Sequence, residues 1–298
     1  MLDILITIAG VIGMILIWIM LYDSNRFVVV QHTFCDRRIR KKFRVVVLAD
    51  LHDKQYGRGN DRLLTAIEEQ KPDAVLIAGD MITAGKKETN KNALAFMEAI
   101  AAKYPVYYGN GNHEHRLKLY PKVYGAFGEE YENFLLEKGI EPLVNQHVKL
   151  QDHGIVIFGS EIDKEFYKRF KTGDMQPQYL EKLLGKPKDN DYNVLLAHNP
   201  DYFPQYAKWG ADLVLSGHIH GGMVRFPGSR GVVSPSVRLF PRYDGGIFQE
   251  GKSTMLLSRG LGMHTIPIRL FNPGELLVVD FIPEEIVSRK AHNEEKDK

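Results

Sequence analysis

Ala211-Asp212-Leu213-Val214-Leu215-Ser216-Gly217-His218-Ile219-His220-Gly221-Gly222 is the stretch whose reading decides the fold. Residues 211–215 are a short apolar run that reads as a buried strand. It ends on a glycine-flanked loop carrying two imidazoles, where backbone can crowd a ligand. Two histidines with one residue between them also occur in ordinary loops, so the pair alone leaves a metal site and an incidental loop equally open. The rest of the chain separates the two.

Working outward, residues 193–197 (Asn-Val-Leu-Leu-Ala) form another apolar run, ending in His198-Asn199-Pro200 and followed by a helix through Tyr206 and Trp209. Residues 43–49 are short and β-branched and end in Asp50-Leu51-His52-Asp53. Asn60 is placed to cap a helix with Leu63, Leu64 and Ile67 on one face, stopped at Lys71-Pro72. Residues 74–78 end in Gly79-Asp80, Ala93, Phe96, Met97 and Ile100 mark a second amphipathic helix, and residues 105–108 end in Gly109-Asn110-Gly111-Asn112-His113-Glu114. Strand, polar loop and helix recurring in this order predict βαβ units and an α/β fold. Helices are expected at 129–138 and 177–184, and strands at 155–159, 255–257 and 275–281. Residues 160–190 otherwise give no reading, and Gly228, Gly231, Gly245 and Gly246 mark a loop-rich stretch.

The apolar runs end in residues able to bind metal: Asp50 and His52, Asp80, Asn112 and His113, His198, then His218 and His220. In open α/β sheets the carboxyl ends of the strands form the ligand crevice, so residues spread from 50 to 220 are expected to converge. One Asp at a strand end is commonly a turn cap and one His commonly surface, but a run of such endings in one chain points to a shared site. Carboxylate, amide oxygen and imidazole without thiolate suit Mn, Fe or Zn, with Mg possible. That many candidate ligands exceed the needs of one ion. A pair of divalent ions about 3.5–4 Å apart, sharing a carboxylate, accommodates them, and such a site directs a bridging hydroxide at phosphorus in an in-line displacement. The expected reaction is hydrolysis at phosphorus.

Asp50-x-His52, Gly79-Asp80, Gly111-Asn112-His113-Glu114, His198 and Gly217-His218-x-His220 together resemble the calcineurin-like metallophosphoesterases, in the order of that family. The flanks of His198 and His220, with Arg225 and Ser258-Arg259-Gly260-Leu261-Gly262, resemble a membrane-associated bacterial branch of it. The resemblance implies a four-layer α/β/β/α sandwich. It implies one ion held by Asp50, His52, Asp80 and His220, and another by Asp80, Asn112, His198 and His218. His113 would then protonate the leaving oxygen, Glu114 would orient it, and His115 and Arg116 are weaker candidates for contact with substrate phosphate. Some related membrane-associated enzymes act on UDP-2,3-diacylglucosamine, which makes a lipid-linked substrate one expectation. Soluble nucleotides, cell-wall phosphates and a non-catalytic metal-binding scaffold are the alternatives. Asp53, Met223 and Asn110 depart modestly from the pattern.

The N-terminal stretch has a different character. Residues 2–22 are apolar apart from Asp3, and at about 1.5 Å per residue they cover a hydrocarbon core of about 30 Å. No basic segment precedes them and no small residues suited to cleavage follow, so a transmembrane anchor is expected rather than a cleaved signal. Arg26, Arg37, Arg38, Arg40, Lys41, Lys42 and Arg44 follow the helix. This bias places the catalytic domain on the cytoplasmic face of a bacterial membrane, with residues 23–42 as a basic linker able to meet anionic headgroups. The domain is expected over 43–282, with a charged tail from 283 that is disordered over 294–298.

The formal net charge of +2 gives no global reason to expect nucleic acid, and 44% hydrophobic with 26% charged residues is ordinary globular composition. Cys35 is the single cysteine, so there is no intrachain disulfide framework. His32, His147, His153, His264 and His292 lie outside the motifs and are assigned structural or surface roles.

Overall fold

The computed structural model describes residues 1–85, 87–168, 174–225, 230–233, 239–263 and 268–286. In chain order its strands are β1 (Phe27–Asp36), β2 (Phe43–Leu48), β3 (Ala74–Ala78), β4 (Val106–Gly109), β5 (Glu141–Pro142), β6 (Gln146–Leu150), β7 (Ile155–Ser160), β8 (Tyr192–Ala197), β9 (Leu213–Ser216), β10 (Val224–Arg225), β11 (Gly231–Val233), β12 (Gly246–Glu250), β13 (Ser253–Leu257) and β14 (Gly274–Pro283). The helices are α1 (Leu2–Ser24), α2 (Asp61–Glu69), α3 (Lys91–Ala101), α4 (Asn112–Leu119), α5 (Pro121–Tyr124), α6 (Phe127–Glu137), α7 (Tyr179–Leu184) and α8 (Phe203–Trp209).

Two six-stranded sheets result, ordered β1-β14-β2-β3-β4-β5 and β12-β13-β9-β8-β7-β6. Their central strands are apolar on both faces because both faces are covered. Val45, Val47, Leu76, Val194, Leu196, Leu213 and Leu215 point between the sheets. Their neighbours one position along point outward by the period of two. Val46, Leu48, Val75 and Ile77 meet Leu63, Ile67, Phe96, Met97 and Ile100 of α2 and α3. Leu195, Val214 and Met255 meet Leu180, Leu184, Phe203, Tyr206 and Trp209 of α7 and α8. Helix, sheet, sheet, helix is therefore the expected four-layer α/β/β/α sandwich. Each fully buried Val or Leu in these layers contributes about 1.5–3 kcal/mol.

Two sequence-based expectations change. Residues 23–42 are not a free linker: β1 occupies most of them and pairs in parallel with β14, from Phe27 opposite Gly274 to Asp36 opposite Pro283. Asn60 does not cap α2 with its side chain. It sits at a left-handed φ of 63°, and its Oδ1 accepts the Tyr56 N–H. Residues 115–140 build part of an outer layer, where Leu117, Phe127, Tyr131 and Leu135 are buried.

α1 is exposed along its apolar length, with only Asp23 of its residues buried. His147 and His153 lie against Phe158 and Phe43, with ring centroids 5.0 and 4.6 Å apart, and His32 is half-buried on β1. His264, His292, Gly228 and the tail over 294–298 lie outside the described residues.

Candidate metal centre

The strands that carry the motifs are neighbours. β2, β3 and β4 run parallel in one sheet, and β8 and β9 run parallel in the other, so their carboxyl ends share one edge of the sandwich. A hydrogen bond from His198 Nδ1 to the Ala78 carbonyl, 2.7 Å, crosses from one sheet to the other. Close approach is possible because glycine lines the loops: a Cβ on Gly111 would lie 2.1 Å from Asp80 Oδ1, and one on Gly217 would lie 2.4 Å from Asp50 Oδ2. Asp50, His52, Asp80, His218 and His220 all take positive φ, between 48° and 75°. That conformation costs a non-glycine residue of order 1 kcal/mol, and its concentration in these loops marks a site where position outweighs backbone comfort.

Three donor groups form, each with ligand atoms within 4.8 Å of one another: Asp50 with His52 and His220; His52 with Asp80 and His113; Asp80 with His198 and His218. His198 Nε2 lies 3.0 Å from Asp80 Oδ2 and 3.7 Å from Asp50 Oδ1. His220 Nε2 lies 3.5 Å from Asp50 Oδ1, and His52 Nε2 lies 3.8 Å from both Asp50 Oδ1 and Asp80 Oδ2. The two carboxylates are aimed by backbone. The His218 N–H donates to both oxygens of Asp50, and the His113 N–H donates to Asp80 Oδ1 at 2.8 Å.

Each ring is held from behind. His198 donates from Nδ1 to Ala78 O, His220 Nδ1 faces Gly262 O at 2.9 Å, and His52 Nδ1 faces the Thr83 hydroxyl at 3.4 Å. Tying one ring nitrogen to an acceptor leaves Nε2 as the lone-pair donor aimed at the carboxylates, the arrangement of metal-binding histidines. Asn112 Oδ1 is buried and finds no hydrogen-bond donor among the described residues. An acceptor in that state fits a cation. The Asp and His clusters are therefore able to bind metal ions, and the oxygen and imidazole donors suit divalent first-row ions.

Electrostatics agree. Burial pushes the Asp50 carboxyl up to about 7 against the pull of His198. Asp80 is buried too, yet His198, His113 and His52 hold it well below the usual carboxylate range. Burial would lower His198, but Asp80 and Asp50 raise it to about 10. Protons occupy a socket built for positive charge.

The other predicted residues differ in placement. His113 is buried at the start of α4, and its Nδ1 accepts the Ala84 N–H at 2.8 Å, which puts the proton of the neutral ring on Nε2. Glu114, expected to orient His113, does something else. Its two oxygens accept the N–H groups of Asp80, Met81, Ile82 and Gly111 and the Tyr108 hydroxyl, stapling the β3 loop to the β4 loop. His115 faces Glu161 at 3.9 Å, and Arg116 is exposed on α4; neither joins the donor groups.

Several supporting residues escaped the sequence reading. Tyr167 stands edge-on to His218, with centroids 5.4 Å apart, from the stretch that gave no reading. Arg269 is buried and donates to the carbonyls of Arg259, Gly260, Gly262, Asn272 and Pro273, fixing the loop whose Gly262 carbonyl holds His220. A lone cation in Ile266-Pro267-Ile268-Arg269-Leu270 was the available signal.

A two-sheet sandwich with an Asp/His cluster at its strand ends defines a metal-dependent hydrolase. Residues 43–222 match the calcineurin-like phosphoesterase family, and the chain belongs to it. Membership implies metal-dependent hydrolysis of phosphoesters. The chain is 28% identical over 245 residues to the uncharacterized metallophosphoesterase YkuE of Bacillus subtilis, covering 79% of this chain and 78% of that protein. It is 28% identical over 247 residues to the uncharacterized metallophosphoesterase Cj0846 of Campylobacter jejuni, covering 81% of this chain but 60% of that protein's length. A zebrafish transmembrane protein with a metallophosphoesterase domain is 27% identical over 78% of this chain and 52% of its own length. Among solved structures, TT1561 of Thermus thermophilus aligns with a TM-score of 0.46 at 13% identity, over 74% of this chain and 92% of that one.

Proposed function

We propose that the chain is a membrane-anchored phosphoesterase that uses two divalent ions, Mn, Fe or Zn by donor type with Mg possible. The observation that carries this is the ring of Nε2 atoms from His52, His198 and His220 around Asp50 and Asp80, each imidazole tied from behind. Asp50, His52, Asp80 and His220 would hold one ion, and Asp80, Asn112, His198 and His218 the other. Bound there, the ions would supply Lewis acidity toward phosphoryl oxygens and a water made acidic enough to attack at neutral pH. Asp80, which belongs to the donor groups of both His52 and the His198–His218 pair, would be the shared carboxylate. His113 keeps its Nε2 proton because Ala84 N–H occupies Nδ1, so it delivers that proton to the leaving oxygen. His115 and Arg116 are outlying candidates for substrate contact.

The substrate we infer is lipid-linked, a phosphoester or pyrophosphate such as UDP-2,3-diacylglucosamine. α1 is long and apolar enough to cross a membrane and is exposed along its length. β14 runs antiparallel to β2, and β1 parallel to β14, so Phe27, where the chain leaves the anchor, lies at the sheet edge that carries the metal-site loops. The site thus opens at the bilayer side of the domain. The basic residues after α1 support a cytoplasmic-face orientation in a bacterial membrane. The net charge of +2 offers nucleic acid no strongly basic footprint.

The test is metal analysis of the full chain in detergent, alongside turnover of aryl phosphate mono- and diesters, nucleotides and lipid-linked pyrophosphates with Mn present. Two ions per chain and preferential cleavage of the lipid-linked class are expected. No hydrolysis of any of them by the loaded protein would overturn the enzymatic reading and leave a metal-binding scaffold.

A further inference from the structure

The last turn of α1 is joined to the metal centre. Asp23 is 2% exposed at the end of an otherwise exposed apolar helix. Its Oδ2 accepts the Asn272 N–H at 3.1 Å, and its Oδ1 accepts from Arg26 Nε at 2.9 Å. Asn272 is fully buried, and its Nδ2 donates to the His220 carbonyl at 2.8 Å and to the Gly222 carbonyl. Two residues thus connect the helix end to the backbone of a candidate ligand. His220 holds a left-handed φ of 54° and Gly221 one of 73°, so this loop depends on outside hydrogen bonds to keep its shape. Gly274 N–H donates to Arg26 O from the other side, closing the chain around the junction.

We propose that Asp23 is a positioning residue of the metal site: through Asn272 it fixes the His220–Gly222 backbone and so aims His220 at the ion shared with Asp50 and His52. This rests on the two-ion reading above. The anchor is then a working part of the centre as well as a tether, and the site keeps a fixed depth and tilt relative to the helix end.

The experiment uses the full-length chain in detergent micelles, stripped with chelator and titrated with Mn2+, with bound ion counted at each step. His220→Ala identifies which of the two steps belongs to its ion. Asp23→Ala is expected to weaken that step about tenfold and leave the other unchanged. Asp23→Asn, which keeps an oxygen for the Asn272 N–H, is expected to stay within about twofold of wild type. If Asp23→Ala does not fold, Asn272→Asp, which removes the donors to His220 and Gly222 while keeping shape, is expected to show the same single-step loss. Weakening of both steps together would mean general destabilisation and overturn the proposal, as would two unchanged steps. A wild-type chain that binds no Mn2+ overturns the two-ion reading and this proposal with it. Wild-type binding of two ions with Asp23→Ala and Asn272→Asp unaltered overturns the proposal alone.

Discussion

Burial raises the Asp50 carboxyl to about 7, so it gives up its proton across neutral pH, while Asp80 and Asp50 raise the His198 imidazole to about 10. Metal ligands must be deprotonated, so an entering cation displaces those protons and its affinity rises with pH. We expect Mn2+ affinity to increase steadily from pH 6 to pH 9, with proton release visible as a dependence of binding heat on buffer ionisation enthalpy; a flat affinity across that range would remove this account. Asp80→Asn should weaken both ions, because His52 and His198 face the same carboxylate. His113→Ala should retain both ions and slow turnover about 10²–10⁴-fold, and normal turnover would remove His113 as the acid. The Asp and His side chains that the structure gathers into donor groups were legible in the sequence because metal chemistry admits few residue types and the sheet edge admits few positions. Their supports were not, since the Ala78 and Gly262 carbonyls and the Ala84 N–H belong to backbone, which every residue carries. The orienting role that the resemblance implied for Glu114 is not what the structure shows, because both of its oxygens are taken by N–H groups of the β3 and β4 loops while His113 Nδ1 takes the Ala84 N–H.

β1 shows what the pattern of charge concealed among the elements. The basic residues at 37–44 drew the eye to a linker, yet residues 27–36 alternate between half-buried and exposed, the period of a strand at a sheet edge. Its attachment runs through β14: Gln31 Nε2 donates to Asp280 Oδ2 at 2.6 Å, and Arg44 of β2 holds Asp280 with Nε on Oδ1 and Nη2 on Oδ2, at 2.7 and 2.8 Å. The Arg44 hydrogen bonds keep Asp280 below the usual carboxylate range. A depressed carboxylate contributes stability that is present above its unfolded value near pH 4 and lost as pH falls through the folded one. Arg44→Met should therefore cost about 2 kcal/mol at pH 7, read by denaturant unfolding, and the difference from wild type should fade as pH falls below the usual carboxylate range. A gap that persists undiminished in acid would assign the loss to packing of the arginine stem. The central strands were read correctly because burial on both faces leaves an unbroken apolar run, while the edge strands β5, β6 and β12 have no such run to announce them.

Under the proposal that α1 spans a membrane, the strand directions make orientation measurable with the natural sequence. The anchor leaves at Phe27, on the sheet edge that carries the metal site, and β1 then runs away from it. Cys35, the single cysteine, is exposed near the far end of that strand, about 26 Å from Phe27 at the rise of an extended chain. Its exposure leaves the thiol open to a water-borne reagent. The basic residues that follow the apolar helix predict a domain facing the cytoplasm. A membrane-impermeant maleimide should then leave Cys35 unlabelled in intact cells and label it once the membrane is permeabilised, whereas labelling of intact cells would place the domain outside. Under the proposed anchoring, which would set the metal-site edge toward the bilayer, the leaflet that Cys35 reports is the leaflet from which a lipid-linked phosphate would have to come.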